Sequence, residues 1–172
     1  MYVLSPNLPS NAGAQHPSWQ IAVMSPEASS SLATDRIAIR RGDQLDYYAN
    51  AQWTDAAPQL LQTLFIRALE KNGVTAASDV AGIDSDYILQ SELHTFEARY
   101  DHSDGAPTIV VDVTVKLVTS RSATIVASRD FHLEQPASAN SVDAAVAAFD
   151  QAVGSLLDQI VPWVLDAAHQ AR

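Results

Sequence analysis

The chain has 172 residues, 47% of them hydrophobic, which suffices for one domain with a sizeable core spanning 1–172. Twenty Asp and Glu against ten Lys and Arg give a formal charge of -10; that balance repels phosphate backbones and anionic membrane surfaces and argues against nucleic acid as a partner. No apolar run reaches the ~20 residues that span a bilayer, and the absence of cysteine removes disulfides, thiolate metal sites and cysteine nucleophiles together.

Residues 5–18, 25–35 and 75–85 are rich in Pro, Gly, Ser, Asp or Ala and read as loops. Between the first two, residues 19–24 (WQIAVM) form a short apolar strand. The next stretch, IAIRRGDQLDYY, has the pattern of a hairpin with Gly42-Asp43 as its turn. Alternation is expected to place Ile37, Ile39, Leu45 and Tyr47 on one, buried face and Arg40, Asp46 and Tyr48 on the other, exposed one. A helix is predicted over 55–72. Thr54 or Asp55 can cap it, Pro58 suits its first turn, Leu60, Leu61, Leu64, Phe65, Ala68 and Leu69 recur at helical spacing, and Gly73 suits a left-handed stop. Trp53, directly before the cap, is expected to pack back on the first turns as a staple. Tyr47 and Trp53 are then structural anchors that tie the hairpin to the helix, and Tyr48 is left as a contact for a partner.

From Tyr87 to Tyr100 apolar residues occur at both parities, Leu89 and Leu93 against Ile88, Phe96 and Tyr100, the mark of a strand buried on both faces or bent by a bulge. Ile109, Val111, Val113, Val115 and Leu117 then alternate with Asp112, Thr114 and Lys116 as a clean strand, and 124–134 follows after a short turn. These three strands are expected to form an antiparallel meander. A second helix is predicted over 140–161, with Asn140 or Ser141 as cap and Val142, Val146, Phe149, Val153, Leu156, Ile160 and Trp163 or Val164 on one stripe. Pro162 is expected to kink or break it before final turns that end near Ala171. The fold class is α+β: a mainly antiparallel sheet with two amphipathic helices packed on one face.

Catalytic signatures are missing: there is no Gly-rich phosphate loop, no GxSxG and no HExxH. His94 and His132 lie on separate predicted strands and are expected to be exposed or paired across strands, not to hold a metal. Asp101, His102, Ser103 and Asp104 read as a solvated turn, because neighbours in a tight turn diverge and their spacing does not match a calcium loop. Asp79, Asp84 and Asp86 read as an acidic surface loop. No catalytic residue, cofactor or metal is expected. A hydrolase built on His94 lacks a nucleophile signal, and a carrier of hydrophobic ligands needs a pocket lined by residues such as Phe96, Phe149 and Trp163, which equally suit a dry core.

The succession YVLSPNLP, WQIAVMSPEASSSLATDRIAIRRGDQLDYYANAQWTDAAPQLLQTLF, DYILQSELHTFEARY, a Val-rich strand, SRDFHLEQP and AAVAAFDQAVGSLLDQIVPWV resembles the ABC-type transport auxiliary lipoprotein family over nearly the whole chain. The hairpin followed by YYANAQWTDAAPQLLQ is the most specific part. The resemblance implies a non-enzymatic protein of the Gram-negative periplasm, tethered to the outer membrane, that assists a mammalian-cell-entry (MCE) type ABC system moving lipid or other hydrophobic substrates between membranes. It implies an MCE-domain protein and ABC transporter components as partners, and a homo-oligomer. Family members carry a lipoprotein signal and an acylated cysteine upstream of the segment matching Tyr2-Val3-Leu4, and this sequence contains neither. A domain with a charge of -10 and no basic amphipathic helix gains little from anionic lipid. Membrane attachment is therefore expected only through a lipid anchor, on a reading frame that extends upstream of Tyr2 to a lipid-accepting cysteine within about 5 to 20 residues, the reach of a flexible tether.

Overall fold

The computed structural model describes residues 1–10, 16–79 and 82–172. In chain order the elements are β1 (Gln20–Val23), β2 (Glu27–Ala28), β3 (Arg36–Arg41), β4 (Gln44–Gln52), α1 (Ala57–Lys71), β5 (Thr75–Ser78), β6 (Tyr87–Tyr100), β7 (Thr108–Thr119), β8 (Ile125–Pro136) and α2 (Val142–Gln170). The eight strands make one α+β sheet with β6 as its axis. On one edge of β6, β7 runs antiparallel along almost its whole length and β8 completes the expected meander. On the other edge β1, β2 and β3 follow one another, all parallel to β6, and pair in turn with residues 87–89, 92–93 and 97–100. β5 lies outside β1 and β4 outside β3. The longest ladders are thus antiparallel, while the N-terminal strands join in parallel. β5 falls in a stretch expected to be loop; Val80 and Ala81 of that stretch, and residues 11–15 of the first expected loop, lie outside the described residues.

The double parity of β6 resolves as a bulge. Pairing with β7 slips between Leu93 and Thr95, so Leu89 and Leu93 before the slip and Phe96 and Ala98 after it all oppose odd-numbered residues of β7 and share one side of the sheet. That side is dry: Ile109, Val111, Val113, Val115 and Leu117 are fully buried, and α2 packs against β7 and β8 there.

α1 begins at Ala57, with Ala56 as cap residue and no side chain capping it. Neither Thr54 nor Asp55 does so, and the Asp55 carboxylate accepts from the adjacent Ala56 N–H instead (2.8 Å). The other end is as expected: Gly73, at φ 86°, donates to Glu70 O while Val74 donates to Leu69 O, a paired-bond stop that requires a left-handed residue. α2 is capped by Ser141, whose Oγ accepts from the Ala144 N–H (3.2 Å). It continues unbroken past Pro162 to Gln170, so of the expected kink or break the break does not occur. Pro162 and Asp158, whose carbonyl loses its helical partner, are both exposed, so water can satisfy that carbonyl while buried Ile160, Val161 and Val164 hold the helix down.

A strap formed by residues 2–9 runs along one flank of α2. Tyr2 OH donates to Asp143 (2.7 Å), the Ser5 N–H donates to Asp150 (2.7 Å), and a Cβ at Gly154 would lie 3.4 Å from Asn7 O. Positions 143, 150 and 154 are i, i+7 and i+11, hence one stripe of the helix. Asn72 at the end of α1 then donates to Pro9 O (2.8 Å). α2 is consequently buried on more than the single stripe its sequence suggests.

Trp53 joins these layers. It is 1% exposed, its N–H donates to Asp35 O (2.6 Å), and its ring meets Phe149 of α2 edge-on at 5.1 Å and Phe96 of β6 at 6.0 Å. The staple expectation aimed this ring at the first turns of α1; its aromatic contacts run to α2 and β6. Trp53→Ala should therefore cost about 3–5 kcal/mol, read as a lowered urea midpoint at unchanged slope. A midpoint equal to that of the parent chain would refute the junction.

Candidate interaction site

The stretch from Gly42 to Trp53 holds the aromatic residues singled out by sequence, and its geometry follows from a two-residue turn. Gly42, at φ 57°, lets Arg41 pair with Gln44, hence Ile39 with Asp46 and Ala38 with Tyr47. Odd residues of β3 therefore oppose even residues of β4. Ile39 shares its side with Asp46, whereas Leu45 and Tyr47 lie on the opposite side with Arg40 and Ala38. This corrects the expected grouping of Ile37, Ile39, Leu45 and Tyr47 on one face, which carried the alternation straight through the turn.

Tyr47 is half-buried, donates its hydroxyl to Ser31 O (2.8 Å) and carries the Arg36 guanidinium 3.8 Å above its ring centroid. Tyr48 is not the free, exposed group that was expected. It is half-buried on the helix-bearing side, where its hydroxyl shares a 2.7 Å hydrogen bond with that of Tyr100. Burial first, and that bond second, push its pKa far above the usual phenol value. Arg41 stands 4.9 Å over the Tyr100 ring, so the hairpin ends in a corner of two tyrosines and an arginine.

The opposite side of β6, β7 and β8 is polar and cross-linked. Arg40 grips Glu97 with two bonds (2.8 and 3.2 Å), Lys116 pairs with Glu92 (3.0 Å), and Arg99 pairs with Glu134 (2.9 Å) and Asp101 (3.3 Å). His132 lies between Asp112, which it touches closely, and Glu134 (3.3 Å). His94, at the bulge, stands 2.9 Å from Thr114, which donates to Asp130 (2.5 Å). The carboxylate thus sits on the hydroxyl and not behind the imidazole, so His94 lacks the orienting acid of a hydrolytic relay. Among the described residues no group of three or more His, Asp or Glu could hold a metal ion. Asp101–Asp104 is an exposed turn apart from its bond to Arg99, and Asp79 and Asp86 accept from Gln62 and the Gln20 N–H. Phe96 and Phe149 close on each other at 4.8 Å beside Trp53, while Trp163 packs edge-on to Phe131 at 5.8 Å. These three aromatics do not line a common cavity.

The family model described as ABC-type transport auxiliary lipoprotein component matches residues 2–161. The chain belongs to that family. A solved Xanthomonas campestris protein assigned to the DUF330 family model is 29% identical to this chain, with 99% of this chain and 97% of that one covered, and superposes with a TM-score of 0.91. A second solved, uncharacterized protein is 19% identical, covers 92% of this chain and 99% of its own, and shares the fold at a TM-score of 0.72. An uncharacterized protein of Bradyrhizobium diazoefficiens is 26% identical over 163 residues, which are 91% of this chain and 43% of the relative; the chain spans less than half of that protein's length. Membership places the chain among the auxiliary components of ABC-type transport.

The His132 pair sets a pH signature for this surface. The hydrogen bond to Asp112, more than any other cause, raises the imidazole above its usual 6.5. The protonated form is the one the fold favours, so its small contribution is complete below pH 6.5 and fades as pH rises through the raised value. NMR titration should show Asp112→Asn bringing the His132 midpoint back toward 6.5; an unmoved midpoint would remove Asp112 as the cause.

Proposed function

We propose that this auxiliary lipoprotein serves an MCE-type ABC system that moves lipid or other hydrophobic substrates between membranes, and that it does so by binding the MCE-domain protein. The match over residues 2–161 carries this reading. A binding role is supported over a carrying one by the aromatic core, which is closed around Trp53, Phe96 and Phe149 and leaves no common cavity among the residues a carrier would use. The corner of half-buried Tyr48, buried Tyr100 and exposed Arg41 is the proposed partner contact, since tyrosine and arginine are residue types that dominate binding energy at interfaces. Attachment to the outer membrane is assigned to an N-terminal lipid anchor, because a charge of -10 offers anionic lipid no purchase.

The test mixes this chain with the periplasmic domain of the MCE-type protein encoded beside its gene. A complex should form with a Kd on the order of 10 µM or tighter, and Tyr48→Ala should weaken it by about tenfold while circular dichroism stays that of the parent. Separate elution of the two proteins at much higher concentration would count against the role. Stoichiometric lipid in a solvent extract of the purified chain would favour the carrier instead.

A further inference from the structure

The chain already begins as sheet. Tyr2 bridges Trp53 in parallel: its N–H donates to Gln52 O (2.7 Å) and its carbonyl accepts from the Thr54 N–H (3.0 Å). Tyr2 therefore lies outside the β4 edge, at the end where β4 runs into Trp53. In a parallel ladder partners advance together, so chain followed backward from Tyr2 runs toward Asn50 and then Tyr48.

That edge is prepared for a neighbour. Among the described strands β4 pairs only with β3, on its inner side. Between the pairs Arg36–Gln52 and Ala38–Tyr47, two steps along β3 answer five along β4, so part of 48–51 has no counterpart in β3. Alternation fixes the next open bond: the Trp53 N–H points inward to Asp35 O and Gln52 O points outward to Tyr2, so the Gln52 N–H also points outward. β4 contains one charged residue, Asp46, whereas the outer strand β8 carries Arg129, Asp130 and Glu134, the usual protection of a free edge. The Asp46 carboxylate takes the Tyr47 N–H (2.8 Å) and closes the edge beyond that point.

We propose that the polypeptide immediately upstream of Tyr2 in the tethered protein lies along β4 as a short additional parallel strand, facing residues 48–52 and ending where Asp46 blocks the edge. This rests on the reading of the chain as lipid-anchored. The tether then leaves the domain beside the pair Tyr48–Tyr100 instead of at Tyr2, and its free length is shorter by the paired stretch.

The experiment compares this sequence with the mature chain read from its gene, the lipid-accepting residue replaced by serine to keep it in solution. Amide exchange at Gln52 should slow by about tenfold or more in the longer chain. A proline at the second residue upstream of Tyr2, whose N–H would face Asn50 O, should abolish the slowing, while a proline one residue further upstream, whose N–H would face water, should leave it. Equal exchange in the two chains overturns the inference, as does a reading frame that starts at Met1. Neither result bears on association with the MCE partner, and failure of that association leaves the exchange result standing.

Discussion

A buried strand must have both of its edges hydrogen-bonded, and β6 meets that demand in two different ways. One edge is satisfied by a single antiparallel neighbour, the other by β1, β2 and β3 in relay. The relay decides where the rest of the N-terminal half can go. β3 reaches the Tyr100 end of β6, so the hairpin hangs there and Tyr48 meets Tyr100; β1 holds the Tyr87 end, so β5 and α1 gather on that flank. The bulge at His94 keeps one side apolar along the full strand and leaves the imidazole on the exposed polar side with Thr114 and Asp130.

Charge and packing meet on α2. The helix carries Asp143, Asp150, Asp158 and Asp166 and no Lys or Arg. Two of these acids are used by the strap, as acceptors for the Tyr2 hydroxyl and the Ser5 N–H. Asp150 is partly withdrawn from water there, and burial raises its carboxyl above the usual range despite the Ser5 bond that favours the charged form. Gly154 completes the fit: the strap passes so close that a Cβ there would touch Asn7 O at 3.4 Å and Pro6 at 3.7 Å. The helix tolerates Pro162 because that residue faces water while Ile160, Val161 and Val164 beside it are buried and hold the helix in place.

What could be read from the sequence was whatever a local pattern can encode. The alternation of β7 and the stripe and Gly73 stop of α1 are such patterns, and all are realised. The double parity of β6 was legible as a choice between bulge and two-sided burial, and only pairing with β7 could decide it. The parallel relay left no trace, because Ile21, Ala38 and their partners Tyr87 and Glu97 are about sixty residues apart and any apolar segment could fill either place. Tyr47 and Tyr48 were misplaced for a smaller reason: a two-residue turn inverts parity between its strands. Trp53 was recognisable as an anchor, but the layers it joins come from residues 96 and 149, whose approach no local signal announces. The functional reading came from the order of segments, which a family preserves where single motifs are weak.

The strap also sets the order in which the molecule can be finished. Tyr2 finds Asp143 and Ser5 finds Asp150, partners 141 and 145 residues away. Contacts of such separation form last, after the loop-closure entropy of the whole chain has been met by the sheet between them. Residues 2–5, early in the sequence, are thus fixed on the helix among the last. Tyr2 can meet the end of β4 and Pro9 the end of α1 before then, but the bonds to Asp143 and Asp150 close only when the C-terminal helix has docked.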